Sequence, residues 1–342
     1  MKLDWNDITI VPACISEIDS RSEVNPYNNG KLPLFTAPMD TVISLENMDK
    51  FYEQGINICL PRGLKTNNIN YFMSYGLDEI IDIVENDKDI HNKVLIDVAN
   101  GNMIRLYNIS KKIKDKYNDK IELMIGNIAN PETYRKYCEI GVDWVRCGVG
   151  GGSACTTSAN VSIHYPMASL ISECNIISKE FVNPTKIIAD GGFKNYSDVI
   201  KALALGSNAV MLGSIFSKSL ESCGDNYQKI RTFANNLDNS DYQKIDNSDY
   251  EKYYKSGIDI YKYYRGMSTK EVQISQNRKQ IKTGEGISKY NKVEYTLSGW
   301  RENFEDYLKS AMSYTNSRTL NDFIGNVKFT VISQNAFNRF NK

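Results

Sequence analysis

The sequence predicts an α/β fold closed into a barrel of eight parallel strands, each followed by a helix, on three observations. Eight short apolar runs recur between residues 34 and 212, several are apolar at successive rather than alternate positions, and the segments between them can hold a crossover helix. A length of 342 residues suits one such (β/α)8 TIM barrel.

In chain order the runs are 34–37, 56–60, 72–75, 94–98, 123–127, 144–149, 187–190 and 209–212. Successive apolar residues are what a strand buried on both faces requires, because one face meets the barrel interior and the other the helices. Among the intervening segments, 103–117, 131–140 and 195–205 read as helices, the last closed by Gly206, a residue suited to a helix C-terminus. In a barrel of this kind the chemistry sits where loops leave the carboxyl ends of the strands. Residues 97–101, Asn127, 148–157, 190–192 and Gly213-Ser214 all fall there, whereas the strand bodies read as filler.

After Ser214 the alternation stops. Residues 217–298 are polar, tyrosine-rich and poor in apolar periodicity, and read as a long mobile flap inserted after the last strand. A short tandem repeat at 238–252 lies within it and carries no assigned chemistry. The chain then reads as a helix, a shorter helix and an apolar strand-like run at 329–332 packed on the barrel, so that 1–342 forms a single catalytic domain.

Composition excludes several function classes. Lysine plus arginine total 41 and aspartate plus glutamate total 41, so there is no electrostatic footprint for a nucleic-acid backbone or an anionic membrane surface. No run approaches a membrane span. The seven cysteines, at 14, 59, 138, 147, 155, 174 and 223, form no CxxC pair, and only His91 and His164 could complete a zinc site. An odd count, irregular spacing and no leading apolar segment favour free thiols in a reducing cytoplasm.

Residues 148–157 read Gly-Val-Gly-Gly-Gly-Ser-Ala-Cys-Thr-Thr and join a phosphate-sized cradle of backbone amides to a sulfur nucleophile, Cys155. Glycines let the main chain approach an anion, and an amide-rich loop favours the thiolate. The pairing points to covalent chemistry on a nucleotide.

Further landmarks follow in order: residues 4–12, TAPMDTV at 36–42, DVANG at 97–101, IADGG at 188–192, VMLGS at 210–214, YRGMS at 264–268 and Glu285-Gly286. With the Ser-x-Cys-Thr-Thr loop, this series resembles the IMP dehydrogenase and GMP reductase family over essentially the whole chain. The resemblance implies that Ser153, Gly192, Gly213, Ser214 and Tyr264 hold the phosphate of a purine nucleoside monophosphate, GMP or IMP, and that Asp190 accepts from the ribose hydroxyls. Donors for a dianion and a carboxylate for vicinal hydroxyls are the physically matched choices. The competing reading of Asp190 is a helix N-cap. Met267, Ser268 and Gly286 would meet the purine, Cys155 would attack its C2, and Thr157 with Glu285 would move protons. Asp97, Asn100, Gly101 and Gly148 would face the cofactor, NADPH, and a monovalent cation, K+, would sit at Gly150, Gly152 and Cys155. The family's usual form is a homotetramer.

The branch implied is GMP reductase. The dehydrogenases hydrolyse their adduct with an adjacent Arg-Tyr pair, and no arginine here is followed by tyrosine; the nearest candidate is Arg278-Lys279. DVANG and 20–24 resemble the reductases, the CBS regulatory domain of the dehydrogenases is absent, and Lys282 stands three before Glu285, where reductases place an arginine near the base and the substrate. No Rossmann fingerprint is present, as expected for a cofactor lying across the barrel mouth. Two alternatives stay open: an IMP dehydrogenase making XMP with NAD, and a purine-nucleotide-binding protein without turnover. The departures bear on that choice. Residues 158–167 replace the family's basic residue and Thr-Gly-Val-Gly-x-Pro-Gln run, Gly151 replaces a proline, and Cys-Leu-Pro-Arg-Gly at 59–63 replaces a histidine-containing turn. His164 lies in the rewritten segment and is read as a solvated loop histidine rather than a catalytic one.

Overall fold

The structure, a computed structural model, describes residues 1–230, 241–246, 249–275 and 283–340. Its centre is a parallel sheet of eight strands, β2 (Leu34–Thr36), β3 (Cys59–Leu60), β4 (Phe72–Tyr75), β5 (Lys93–Asp97), β6 (Glu122–Ile128), β7 (Trp144–Cys147), β8 (Lys186–Asp190) and β9 (Ala209–Leu212). Neighbours pair in sequence order from β3 to β9, and β9 pairs with β2. The seam between β2 and β3 closes through Thr36 N–H to Asn57 O at 3.0 Å and Asn57 N–H to Leu34 O at 2.9 Å. The sheet is therefore the expected (β/α)8 TIM barrel.

Two-residue periodicity divides each strand between two cores. Phe35, Cys59, Phe72, Leu95, Met124, Trp144, Ile188, Ala209 and Met211 fill the barrel interior, while the other face packs with the helices in a larger cluster. The next inward position along three strands is not apolar. Two residues beyond Leu95, Trp144 and Ile188 stand Asp97, Arg146 and Asp190, one rung nearer the carboxyl ends. Gly126 shares that rung, and a Cβ there would lie 2.5 Å from the Cβ of Arg146, so only glycine leaves room for the arginine.

Helices Ile104–Tyr117, Pro131–Glu139 and Tyr196–Ala204 match the three read from periodicity to within a residue or so at each end. A further helix, Met167–Ser178, fills the crossover between β7 and β8. Asn195, not Asp190, caps the helix after β8, accepting from Asp198 N–H at 3.0 Å. The N-cap reading of Asp190 is thereby overturned.

The described residues of the region expected as a long mobile flap carry an antiparallel sheet of β10 (Asn226–Lys229), β11 (Tyr242–Lys244), β12 (Tyr261–Arg265) and β13 (Ser288–Lys292), in the order β11-β10-β12-β13. Its alternation is of tyrosine with polar residues, which an aliphatic pattern search passes over. Tyr227, Tyr242, Tyr261, Tyr263 and Tyr290 pack on one another with ring centroids 4.1–5.6 Å apart. On the opposite side Lys262 donates to Ser222 O at 2.7 Å and Asn291 to Ser217 Oγ at 2.7 Å, both buried. The two copies of the tandem repeat diverge: Asp-Tyr-Gln-Lys of the first contributes β11, whereas Asp-Tyr-Glu-Lys of the second opens helix Tyr250–Lys255. Tertiary context overrides local propensity there.

Helices Leu297–Tyr314 and Leu320–Phe323 and strand β14 (Phe329–Val331) end the expected series, followed by helix Gln334–Phe340. β14 pairs antiparallel with β1 (Ile8–Ile10), and its own side chains stay exposed. No helix among the described residues is long and apolar enough to cross a membrane.

Candidate active site

The glycine-rich loop leaves β7 at the carboxyl-end rim and ends in the short helix Thr157–Val161. Gly148 has φ +142° and passes so close to β8 that a Cβ would lie 2.3 Å from Asp190 O, which excludes any side chain. Beyond it, 154–156 pair with 285–287: Thr156 N–H donates to Glu285 O at 2.9 Å and Ile287 N–H to Ala154 O at 3.0 Å. This pairing brings Glu285 from a distant part of the chain against Cys155.

A directed hydrogen-bond chain results. The half-buried Cys155 thiol donates to Thr157 Oγ1 at 3.3 Å, and Thr157 Oγ1 donates to Glu285 Oε2 at 2.5 Å. The path leads from a thiol through a hydroxyl to a carboxylate, so it can carry a proton away from sulfur and later return one. The three catalytic candidates thus meet in one place.

Two cavities flank this relay and share Gly151, Gly152, Asp190 and Gly191. The smaller, about 170 Å³, is lined by Ser153, Gly192, Gly213, Ser214 and Tyr264, the five residues expected around phosphate. Gly213 is pressed by Met39 Sδ at 3.0 Å and Tyr264 Oη at 3.2 Å from where its Cβ would stand. Burial pushes the Tyr264 hydroxyl up to about 12, so it remains a neutral donor. Lys194 also lines this cavity and is its one cationic residue among those described. The larger cavity, about 400 Å³, is lined by Cys155, Thr157, Glu285, Ser268, Asn127 and Gln273 among others.

Asp190 and Asp97 are joined by a residue within a strand body, where the apolar pattern predicts only filler. Arg146 donates to Asp97 Oδ1 at 2.6 Å and to Asp190 Oδ2 at 2.8 and 3.0 Å, with only 8% of its side chain exposed. Burial opposes its charge, but the attraction of Asp190 and Asp97 outweighs that and raises its pKa. Asn127 adds a donor to Asp190 Oδ2 at 2.7 Å and one to Gly148 O at 2.8 Å. Arg62 approaches the other oxygen of Asp97 at 3.5 Å. The signal for Arg146 was a lone charge inside an apolar strand.

The remaining candidates separate. Gly101 is buried, with its N–H on Asn127 O at 2.7 Å and its carbonyl receiving Tyr137 Oη at 2.8 Å, so its backbone is committed to packing. Asn100 is exposed and caps Asn102 N–H at 3.0 Å. Gly286 faces Cys155 through a backbone bridge, and Met267 is half-buried but lines neither cavity. His164 is exposed and likewise lines neither. Lys282, with Arg278 and Lys279, lies outside the described residues. Gln273 and Lys194 were missed because a single polar residue in a polar segment carries no pattern. For a cation at Gly150, Gly152 and Cys155, the donor set would be main-chain carbonyls, and two of these already accept hydrogen bonds. Ser158 Oγ donates to Gly150 O at 3.0 Å and Cys155 N–H to Gly152 O at 2.9 Å.

Gly151, like Gly152, differs from Gly148 and Gly150 in having neither a positive φ nor a tight contact. A Cβ there would meet Gly192 N at 3.6 Å, an ordinary contact. Gly151→Ala should therefore raise stability by about 0.4–1 kcal/mol by restricting the unfolded chain, as read from thermal or urea melting. A drop in melting temperature would show that the loop needs the bare backbone.

The IMP dehydrogenase / GMP reductase domain model matches residues 74–235. An inosine-5′-monophosphate dehydrogenase of Cryptosporidium parvum is 29% identical over 238 residues, 67% of this chain and 52% of that protein, so the chain spans about half its length. One from Borreliella burgdorferi is 28% identical over 319 residues, 90% of this chain and 72% of its own. A GMP reductase of Shouchella clausii is 27% identical over 358 residues, 98% of this chain and 97% of its own.

Proposed function

Since the chain belongs to the IMP dehydrogenase / GMP reductase family of oxidoreductases, we propose that it is a GMP reductase, converting GMP to IMP and ammonia with NADPH through a covalent bond between Cys155 and purine C2. The observation that carries this reading is the Cys155–Thr157–Glu285 chain, with links of 3.3 and 2.5 Å.

In this reading the smaller cavity takes the phosphate on Ser153, Gly192, Gly213, Ser214 and Tyr264, with Lys194 at its lip supplying positive charge. Asp190 receives the ribose hydroxyls, held in place by Arg146 and Asn127. The purine then extends into the larger cavity beside Cys155, against Ser268 and Gln273. As sulfur bonds to C2, the thiol proton passes through Thr157 to Glu285. The exocyclic amine leaves as ammonia when the same pair returns a proton to it, so one relay serves both half-steps. A nicotinamide dinucleotide, when bound, would supply a hydride to C2, the C2–S bond breaking with its electron pair so that Cys155 leaves as a thiolate, to be reprotonated from solvent. Residues that fit its approach are Ala99, Asn127 and Gly148, which form the wall of the larger cavity, with Asp97 behind them on Arg146. Lys282 and Met267 complete the expected substrate contacts, and a cytoplasmic homotetramer is the expected form.

The absence of any Arg-Tyr pair in the sequence favours reduction over the dehydrogenase's hydrolysis. The test is to follow NADPH absorbance with GMP and titrate the ammonia released, then to repeat with IMP and NAD. Equal consumption of NADPH and release of ammonia is expected, with no XMP from the second pair. NAD reduction with IMP would overturn the reading in favour of a dehydrogenase, and tight nucleotide binding with neither reaction would make the protein a binder.

A further inference from the structure

The loop that carries Cys155 is costly to order, because glycine stands at 148, 150, 151 and 152 and glycine loses the most backbone freedom on fixing. Something inside the loop must hold its pitch. The ends are tied by Gly148 N–H to Ile128 O at 2.8 Å and by the pairing of 154–156 with 285–287. Between those ties the loop folds back under the first turn of helix Thr157–Val161. There Ser158 Oγ donates to Gly150 O at 3.0 Å. The approach is close: a Cβ on Gly150 would lie 2.8 Å from Ser158 Cβ and 3.0 Å from Ser158 N.

A monovalent cation would order such a loop by collecting main-chain carbonyl oxygens, since hard cations take oxygen ligands. Here the Gly150 and Gly152 oxygens face donors from the chain itself. Each carbonyl oxygen has two lone pairs, and here the Ser158 hydroxyl takes one on Gly150 O while Cys155 N–H takes one on Gly152 O, leaving each oxygen a weaker ligand for a cation. The Ser158 hydroxyl thus already supplies at Gly150 O the tie that a resident cation would otherwise provide.

We propose that Ser158 is a positioning residue that replaces a bound monovalent cation, fixing Gly150 and through it the placement of Cys155. It belongs to the segment in which the chain departs from its family, so the departure has a stated purpose. The inference rests on Cys155 being the loop's nucleophile but not on the identity of the purine.

The experiment compares wild type, Ser158→Ala and Ser158→Thr in potassium chloride and in choline chloride at equal ionic strength. Two readouts are taken: alkylation of Cys155 by iodoacetamide, followed on the Cys155 peptide by mass spectrometry, and turnover with KM resolved from kcat. Wild type and Ser158→Thr should differ by less than about twofold between the salts. Ser158→Ala should lose roughly tenfold in kcat in choline, the size of one net hydrogen bond. Its Cys155 alkylation should change in parallel, its KM should move little, and potassium should restore it. Potassium dependence of the wild type would overturn the proposal. So would a Ser158→Ala protein that matches wild type in both salts, or a Ser158→Thr protein that fails as Ser158→Ala does. If the GMP reading fails instead, turnover is missing in every protein while the alkylation pattern stands.

Discussion

Cys155→Ala should lower turnover by at least about 10³-fold while leaving purine monophosphate affinity close to that of wild type. Removing the sulfur removes the atom that bonds C2 and the first member of the relay, so Thr157 and Glu285 keep their 2.5 Å contact but have no thiol to serve. No other cysteine can stand in. Cys59, Cys138, Cys147 and Cys174 are buried, burial pushes the Cys59 thiol up, and neither Cys14 nor Cys223 lines the cavities. The phosphate cavity does not include residue 155, which is why binding should survive. Steady-state NADPH consumption and calorimetric titration with GMP separate the two quantities. Residual turnover within tenfold of wild type would remove the covalent step from the mechanism.

Arg146→Met should destabilise the fold by about 3–5 kcal/mol, the cost of taking one partner from a buried ion cluster. Asp97 and Asp190 have side-chain exposures of 15% and 13%, and without the guanidinium they would confront each other across the barrel with Asn127 and Arg62 as remaining neighbours. A hydrophobic replacement alone cannot offset that, because both charges stay in place. Asp97→Asn added to Arg146→Met should return part of the loss by leaving one carboxylate instead of two. Urea unfolding of the single and double variants measures both effects. Nucleotide affinity should fall as well, since Asp190 loses two of its three donors. A variant with wild-type stability and affinity would show that Arg146 neither supports the fold nor positions the ribose contact.

Much of this site was legible in the sequence, for identifiable reasons. Strands buried on both faces leave unbroken apolar runs, so all eight barrel strands could be placed, with 72–75 and 209–212 matching to the residue. The glycine-rich loop announced itself because backbone approach requires glycine in a cluster. What stayed hidden was partnership across the sheet. Arg146 meets Asp190 on the adjacent strand β8 and reaches Asp97 on β5 past the glycine of β6, and nothing local marks residues so far apart in the chain as neighbours. Asp190 was recognised but its helix-capping alternative was not separable until Asn195 proved to be the cap. The sheet β10–β13 was hidden by its chemistry, since tyrosine alternating with lysine and asparagine gives little hydropathy contrast. Ser158 looked like a lost family residue, and its hydroxyl acquires meaning only when Gly150 is seen beneath it.

The pairing of β2 with β9 and of β1 with β14 has a consequence for biosynthesis. A ribosome delivers the chain from its amino end, so Leu34–Thr36 waits for Ala209–Leu212 before its edge is covered, and Ile8–Ile10 waits longer still for Phe329–Val331. At roughly 5–20 residues per second that is an interval of tens of seconds with an open parallel edge exposed to other nascent chains. Arg146 emerges after Asp97 but before Asp190, so its guanidinium spends part of that interval with half of its final counter-charge. The strand order of this barrel thus leaves its first edge unpaired until its last barrel strand has been made.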